Sequence, residues 1–313
     1  MIKHIYRAEI VFFGKSNLKD LISCFDFIDE FEEIPSLTSS ENPIIKEKIN
    51  KYNLDFIISF HAKTFILKFL INTNAKKVIT RNRPISIFSL KCKCVFVSFI
   101  KRFYKNRNDE FKMLYYARKI NPKLFDKEIK NLNFDIKIKT NIYNKNIINN
   151  FLDQNNIKDK NLILLNPFSI SAFYTLKLVD YLRLCQEIIS KFKDIYIIIP
   201  SYEAVHKDFI REFKTFFKEN PQRIYIFKND DNILNICELI KRTKCVISPS
   251  TGVIHLASNL EKSSIGLFSE KDIIFWETFN KDYVLLNKTK EELSTYDILE
   301  IINEILLKLK RYL

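Results

Sequence analysis

Glycine is almost missing from this chain: three residues in 313. Because glycine is the residue that enters tight or strained turns without steric cost, such a chain has almost none available for them. Long hydrophobic runs are also missing. No stretch offers the roughly 18 uncharged apolar residues that a membrane-spanning helix needs, and Met1-Ile-Lys-His-Ile-Tyr-Arg-Ala-Glu lacks the apolar core of a secretory signal. Paired cysteines are scarce. Of Cys24, Cys92, Cys94, Cys185, Cys237 and Cys245, only Cys92-Lys-Cys94 are close, and no second pair or nearby histidine completes a metal site. Ordinary thiols in a reducing compartment are expected, which places the protein in the cytoplasm.

What is present is a soluble, globular composition, 47% hydrophobic and 28% charged, on a chain long enough for two domains with separate cores. Ile, Lys, Asn and Phe are heavily used, as in an AT-rich coding sequence, and this bias feeds the formal net charge of +14. Lysine-rich clusters at Lys91–Lys105 and Lys308–Arg311 read as solvated basic faces or as surfaces for phosphate or anionic lipid. No nucleic-acid-binding motif accompanies them, and nucleic acid is not expected as a partner.

One glycine falls in Ser248-Pro-Ser-Thr-Gly-Val-Ile-His-Leu-Ala257. The preceding Thr243–Ser248 reads as a buried strand and Val253–Leu260 as a helix. Pro249–Gly252 is therefore a strand-to-helix turn presenting backbone N–H groups and two hydroxyls at a helix N-terminus, a physical solution for holding phosphate. His255, one turn inside, can donate to the same place.

Strand-like and helix-like runs alternate along the whole sequence, which predicts α/β architecture with parallel sheets. In the N-terminal part, Ala8–Phe13, Leu54–Phe60 and Lys77–Ile79 read as strands; Asn17–Ile28, Pro43–Tyr52, Thr64–Asn72 and Asn108–Ile120 read as helices. The Asn/Lys-rich stretch 141–160 begins a new unit. Domains are expected at 1–146 and 147–292, followed by a helix over 293–313 that returns to the N-terminal domain. The second domain reads as doubly wound, and its turns Asn166–Ser171, Pro200–Glu203 and Pro249–Gly252 all fall at carboxyl ends of strands, where such sheets bind ligands.

The block Ile236–Leu260, followed by Ser264-Ile-Gly-Leu-Phe268, resembles glycosyltransferase family 9, the heptosyltransferases of lipopolysaccharide core assembly. Its hallmark is a strand, Asp-Thr-Gly-x-x-His-x-Ala, and a second strand ending in Leu-Phe-Gly. Tyr52–His61, Asn166-Pro-Phe-Ser169 and Pro200-Ser-Tyr-Glu203 resemble further family segments. The resemblance implies a GT-B fold: two Rossmann-like doubly wound domains facing a cleft, with metal-independent transfer of a sugar, with inversion, from a nucleotide-diphosphate donor. It further implies an anionic, lipid-linked core oligosaccharide as acceptor and peripheral contact with the inner face of the cytoplasmic membrane. By the same resemblance Thr251, Gly252 and His255 sit at the donor's diphosphate and sugar, Glu203 at the ribose, Ser169 or Ser171 near the phosphates, and Lys177 at the leaving diphosphate. His61, at a strand end, is the acceptor-side candidate.

Two departures stand out. Ser250 occupies the place of the family's Asp, so ADP-heptose is not directly implied as donor. Met1–Arg7 aligns with the end of the family's first helix, so the N-terminal domain is expected to be incomplete. It would lack the Gly-Asp loop whose aspartate is the family's general base, and its sheet would show an apolar seam. The alternative implied is a homologue that binds nucleotide sugar without turnover.

Overall fold

The computed structural model describes residues 1–35, 42–60, 63–96, 109–132, 136–169, 172–278 and 281–313. The chain divides into two compact units, Met1–Asp135 and Ile136–Leu313. The division falls earlier than the composition change near residue 146 suggests, because Asn259 stitches the connecting segment to the second unit. Its Oδ1 accepts from the Ile138 amide at 2.9 Å and its Nδ2 donates to the Ile136 carbonyl at 2.9 Å.

In the first unit, strands β1 (Val11–Gly14) and β2 (Glu30–Glu33) form one parallel pair, and β3 (Phe56–Ser59), β4 (Lys77–Arg81) and β5 (Cys92–Val95) form a separate parallel sheet. Helices α1 (Ile2–Tyr6), α2 (Lys19–Ser23), α3 (Asn42–Asn50), α4 (Thr64–Ile71), α5 (Pro84–Ile87), α6 (Asp109–Arg118) and α7 (Pro122–Glu128) alternate with them. The buried Ile45 and Ile49 of α3 pack with Val78 of β4, and Phe13 of β1 and Ile57 of β3 rest against the same cluster. Every residue of β3, and Val11–Phe13 of β1, remains only half-buried.

Strands β2 and β5 carry little strand signal. Glu30-Phe-Glu-Glu33 is mostly acidic, yet it pairs along all of β1, and Glu30 and Glu32 each accept from the Tyr52 hydroxyl, at 2.6 and 2.5 Å. Burial of the phenol, and next these contacts with the two carboxylates, raise the Tyr52 pKa above its usual range. Cys92-Lys-Cys-Val95 is interrupted by a lysine whose ammonium finds the Ile120 carbonyl at 3.1 Å.

The second unit is built on six parallel strands: β6 (Asn161–Leu165), β7 (Ile195–Ser201), β8 (Ile224–Lys228), β9 (Cys245–Pro249), β10 (Ser263–Ser269) and β11 (Lys281–Leu286), in the order β11-β10-β9-β6-β7-β8. The helices are α8 (Ile142–Gln154), α9 (Leu178–Lys191), α10 (Glu203–Phe217), α11 (Ile233–Lys241), α12 (Gly252–Asn259), α13 (Glu270–Trp276) and α14 (Thr295–Leu309). Central strands are near-continuous Ile, Leu and Val, as expected of a sheet covered on both faces. In α9, the buried Tyr181, Leu184, Cys185 and Ile188 repeat at helical spacing and fill the same core as Ile163, Ile197 and Ile247.

The closing helix, expected to return to the first domain, belongs instead to the second unit. Ile298, Ile301, Ile302, Ile305, Leu306 and Leu309 form one apolar stripe packed into its core. All six cysteines are thiols outside any disulfide, with Cys185, Cys237 and Cys245 buried.

A capping box starts α14: the Ser294 hydroxyl accepts from the Asp297 amide at 3.2 Å, and the Asp297 carboxylate accepts from the Ser294 amide at 2.8 Å. Lys288 donates to both Asp297 oxygens at 2.8 Å. These contacts hold the Asp297 pKa down at about 2 against an ordinary 3.8, the Lys288 hydrogen bond first and those from Ser294 next. A depressed carboxylate stabilises the fold above its unfolded pKa, and the contribution is lost as pH falls through the folded value. Thermal unfolding followed between pH 5 and pH 2 should therefore show wild type losing more stability than Asp297→Asn, the two curves converging at the acid end.

Candidate functional site

Strands β6, β7 and β8 proceed to one side of the second sheet and β9, β10 and β11 to the other, so the order reverses between β6 and β9. Ligands of open α/β sheets bind at the carboxyl ends beside such a reversal. All pairs are parallel, so the ends of β6, β7 and β9 share one edge. The three polar turns singled out in the sequence therefore lie side by side.

At the reversal, Asn166 follows β6 and is 5% exposed. Its amide nitrogen donates to Ser248 Oγ at 3.0 Å and to Thr251 Oγ1 at 3.4 Å, and the two hydroxyls are 3.0 Å apart. The side chain of Asn166 thus ties the end of β6 to the turn after β9. Ser250 continues the ladder by donating its amide to the Leu267 carbonyl at 3.0 Å. Thr251 is the extended N-cap of α12, but its hydroxyl is turned to Ser248, and no side chain caps the helix. The Gly252 and Val253 amides at the first helical positions have no intrahelical acceptor, and they carry the positive end of the helix dipole.

Gly252 itself takes no left-handed conformation; no glycine here has positive φ. A Cβ placed on it would meet nothing within 4 Å. What the glycine leaves here is open space at the Cβ position beside the first turn of α12, not backbone freedom. His255 lies one turn further on the same side of α12, where burial lowers the pKa of its imidazole. At neutral pH it is an uncharged ring with one N–H to donate. Its partner is Trp276, the chain's sole tryptophan, edge-on with centroids 5.9 Å apart and 39% exposed.

At the next strand end, Glu203 opens α10 and is exposed, its carboxylate 2.8 Å from the Lys228 ammonium of β8. The Lys228 hydrogen bond lowers its pKa and keeps it ionised. The buried Ser201 hydroxyl at the end of β7 lies 2.8 Å from His206 Nδ1, so His206 supports the turn. Phe168 and Tyr202 meet edge to face at 5.8 Å between the β6 and β7 turns.

Of the remaining residues singled out, Ser169 accepts from the Ala172 amide at 2.8 Å and so shapes the β6 turn. Lys177 is the N-cap of α9 and pairs with Glu291 at 2.9 Å, both side chains exposed. Ser171 and His61 lie outside the described residues. Trp276 and Lys228 gave no advance signal: each sits on an element whose place beside α12 or Glu203 follows only from sheet order. Among the described residues no cluster of three His, Cys, Asp or Glu side chains is placed to hold a metal ion.

The family model of glycosyltransferase family 9 (heptosyltransferase) matches residues 230–304, the segment that carries β9, the turn, α12, β10 and Trp276. Similar solved structures extend over nearly all of the chain. A glycosyl transferase family 9 structure from Veillonella parvula covers 96% of this chain and 88% of its own, at 10% identity and TM-score 0.72. The E. coli ADP-heptose lps heptosyltransferase II covers 99% and 93%, at 11% identity and TM-score 0.66. E. coli heptosyltransferase WaaC with ADP covers 95% and 90%, at 11% identity and TM-score 0.60. No curated protein sequence matches the chain. The fold is that of the GT-B glycosyltransferases.

Proposed function

We propose that this chain is a glycosyltransferase of the heptosyltransferase type. It transfers a sugar, with inversion, from a nucleotide-diphosphate donor to a lipopolysaccharide or lipooligosaccharide core acceptor in the cytoplasm. One observation carries the reading: the uncapped, unobstructed N-terminus of α12 stands at the reversal of the sheet, inside the segment that matches the family.

The chemistry asks for stabilisation of a departing diphosphate. Fixed N–H dipoles aimed where negative charge develops do this without reorganisation in the transition state. The Gly252 and Val253 amides supply them, with the Thr251 hydroxyl and the neutral His255 beside them. Glu203, already ionised, accepts from ribose hydroxyls on the β7 side. In this reading the nucleoside lies toward β7, the diphosphate over β9, and the sugar toward β10, beside Ser250 and Trp276. Ser250 offers a neutral hydroxyl where a carboxylate would select a particular sugar, so the donor need not be ADP-heptose. Lys177 is the first cation after the β6 turn, and leaving Glu291 for the diphosphate would complete the charge balance. No metal ion takes part in this scheme, and no residue of this chain is assigned as general base.

The test is a panel of nucleoside diphosphates and nucleotide sugars read by thermal shift and by Trp276 emission. A donor present at a hundredfold its Kd stabilises the fold by about 2.7 kcal/mol. The nucleotide sugar should change the emission of Trp276 more than the matching nucleoside diphosphate does. Release of nucleoside diphosphate with a lipooligosaccharide acceptor, unchanged by EDTA, completes it. Failure of every diphosphate to stabilise the protein would remove the reading.

A further inference from the structure

From Phe56 to Asn108 the sequence holds twelve lysines and arginines and no aspartate or glutamate. Most of the chain's net charge of +14 therefore sits in one acid-free stretch of the first unit. Within it, the connection from β4 to β5 exposes the two least covered large apolar side chains among the described residues. Phe88 is 88% exposed and Leu90 96%, against 71% for the next, Phe173. Ile87, beside them, is 49% exposed.

This connection is built, not frayed. The Arg83 amide donates to Ser86 Oγ at 2.8 Å, and the buried Ser86 hydroxyl lies within 3.1 Å of the Arg81 and Arg83 carbonyls. At its other end the Lys77 ammonium donates to the Leu90 carbonyl at 2.9 Å. The Lys91 ammonium donates to the Ile71 carbonyl at 2.9 Å and also to that of Thr73. Two cations thus brace the root of a turn whose tip is apolar, and Arg83 is exposed at its start.

We propose that the Ile87–Leu90 turn is the docking point of this protein on an anionic lipid bilayer. Phe88 and Leu90 enter the headgroup boundary, and the surrounding lysines and arginines hold the lipid phosphates. The occupant follows from two observations together. An apolar tip left open to solvent suits a fluid surface that deforms around it, and a stretch of sequence rich in Lys and Arg without Asp or Glu suits a negatively charged one. Nucleic acid would satisfy the charge but would leave Phe88 and Leu90 without a purpose. No described helix is long and apolar enough to cross the membrane, so the contact is peripheral. The proposal does not rest on the nucleotide reading, since vesicle binding and nucleotide binding are measured separately and on different units.

The experiment is co-sedimentation of the full chain with phosphatidylcholine vesicles, with and without phosphatidylglycerol, at low and high salt. Binding is expected to the mixed vesicles, to weaken with salt, and to fall about tenfold or more in Phe88→Ser/Leu90→Ser. Both side chains are solvent-exposed, so the melting temperature of that variant should match wild type. As a second readout, Leu90→Trp in a Trp276→Phe background should show emission quenched by brominated lipid. Three results would overturn the proposal: wild type staying in the supernatant; the double variant binding vesicles like wild type; or a dimer that the double variant dissolves, with no vesicle binding. Retention on RNA or duplex DNA that ignores the double variant, in the absence of vesicle binding, would overturn it equally.

Discussion

Gly252→Trp should abolish nucleotide and nucleotide-sugar binding while leaving the fold as stable as wild type. The two halves of this expectation have different causes. Stability survives because Gly252 has no positive φ, so an L side chain is conformationally allowed, and because a Cβ there meets nothing within 4 Å. Replacing glycine at a compatible position even removes entropy from the unfolded chain, worth about 0.4–1 kcal/mol. Binding fails because the indole occupies the volume over the two first amides of α12, which is the volume a diphosphate needs. Affinity should fall by about two orders of magnitude or more, the equivalent of losing charge-assisted hydrogen bonds worth some 1.5–3 kcal/mol each. Gly252→Ala is the graded control: it should be equally stable and bind with an intermediate loss. The measurement is a melting curve with and without ligand. A variant that melts like wild type and keeps the full ligand-induced shift would dismiss the α12 site.

The same residue shows how far sequence alone reaches. The strand, the turn and the helix around Gly252 are legible because Cys245-Val-Ile is a buried run ended by Pro249, and because the next apolar residues recur at helical spacing. The reason for the glycine is not legible. In the sequence it looks like a conformational need, whereas in the structure it is an open volume. Legibility fails again wherever a tertiary partner decides. Glu30–Glu33 becomes a strand because β1 pairs with it and Tyr52 takes up its carboxylates, and nothing local in an acidic tetrapeptide says so. The closing helix has a clear apolar stripe, but a stripe does not name the surface it covers, and α14 packs into the second unit. Within the site, the Asn166, Pro200 and Pro249 turns are foreseeable as carboxyl-end loops. The cross-strand bonds from Asn166 to Ser248 and Thr251 and the approach of Trp276 to His255 depend on sheet order, which skips from β6 to β9.

Gly266→Ala is the opposite case and should be the most damaging small substitution in the second unit. Gly266 lies mid-strand in β10, opposite Ser248 of β9 and Tyr283 of β11. An added Cβ would stand 2.2 Å from Phe268 Cε2, closer than real Cβ contacts come, and 3.1 Å from Cζ, which is tight. Phe268 is 1% exposed, so its ring cannot swing out to solvent, and relief requires the buried layer to move. Overpacking of this kind costs about 1–3 kcal/mol, against which the entropic benefit of removing a strand glycine returns only about 0.5–1. A fall of roughly 5 °C in the melting temperature is expected. The cause can be separated from a general intolerance by a double-mutant cycle. Phe268→Leu alone leaves a cavity and is destabilising, yet combined with Gly266→Ala it removes the clash, so the pair should be more stable than the sum of the single losses predicts. Strict additivity would mean that the ring is not what the glycine protects. Nucleotide affinity of the folded fraction should be close to wild type in Gly266→Ala, because its contact is with the core beneath the strand and not with the volume over α12.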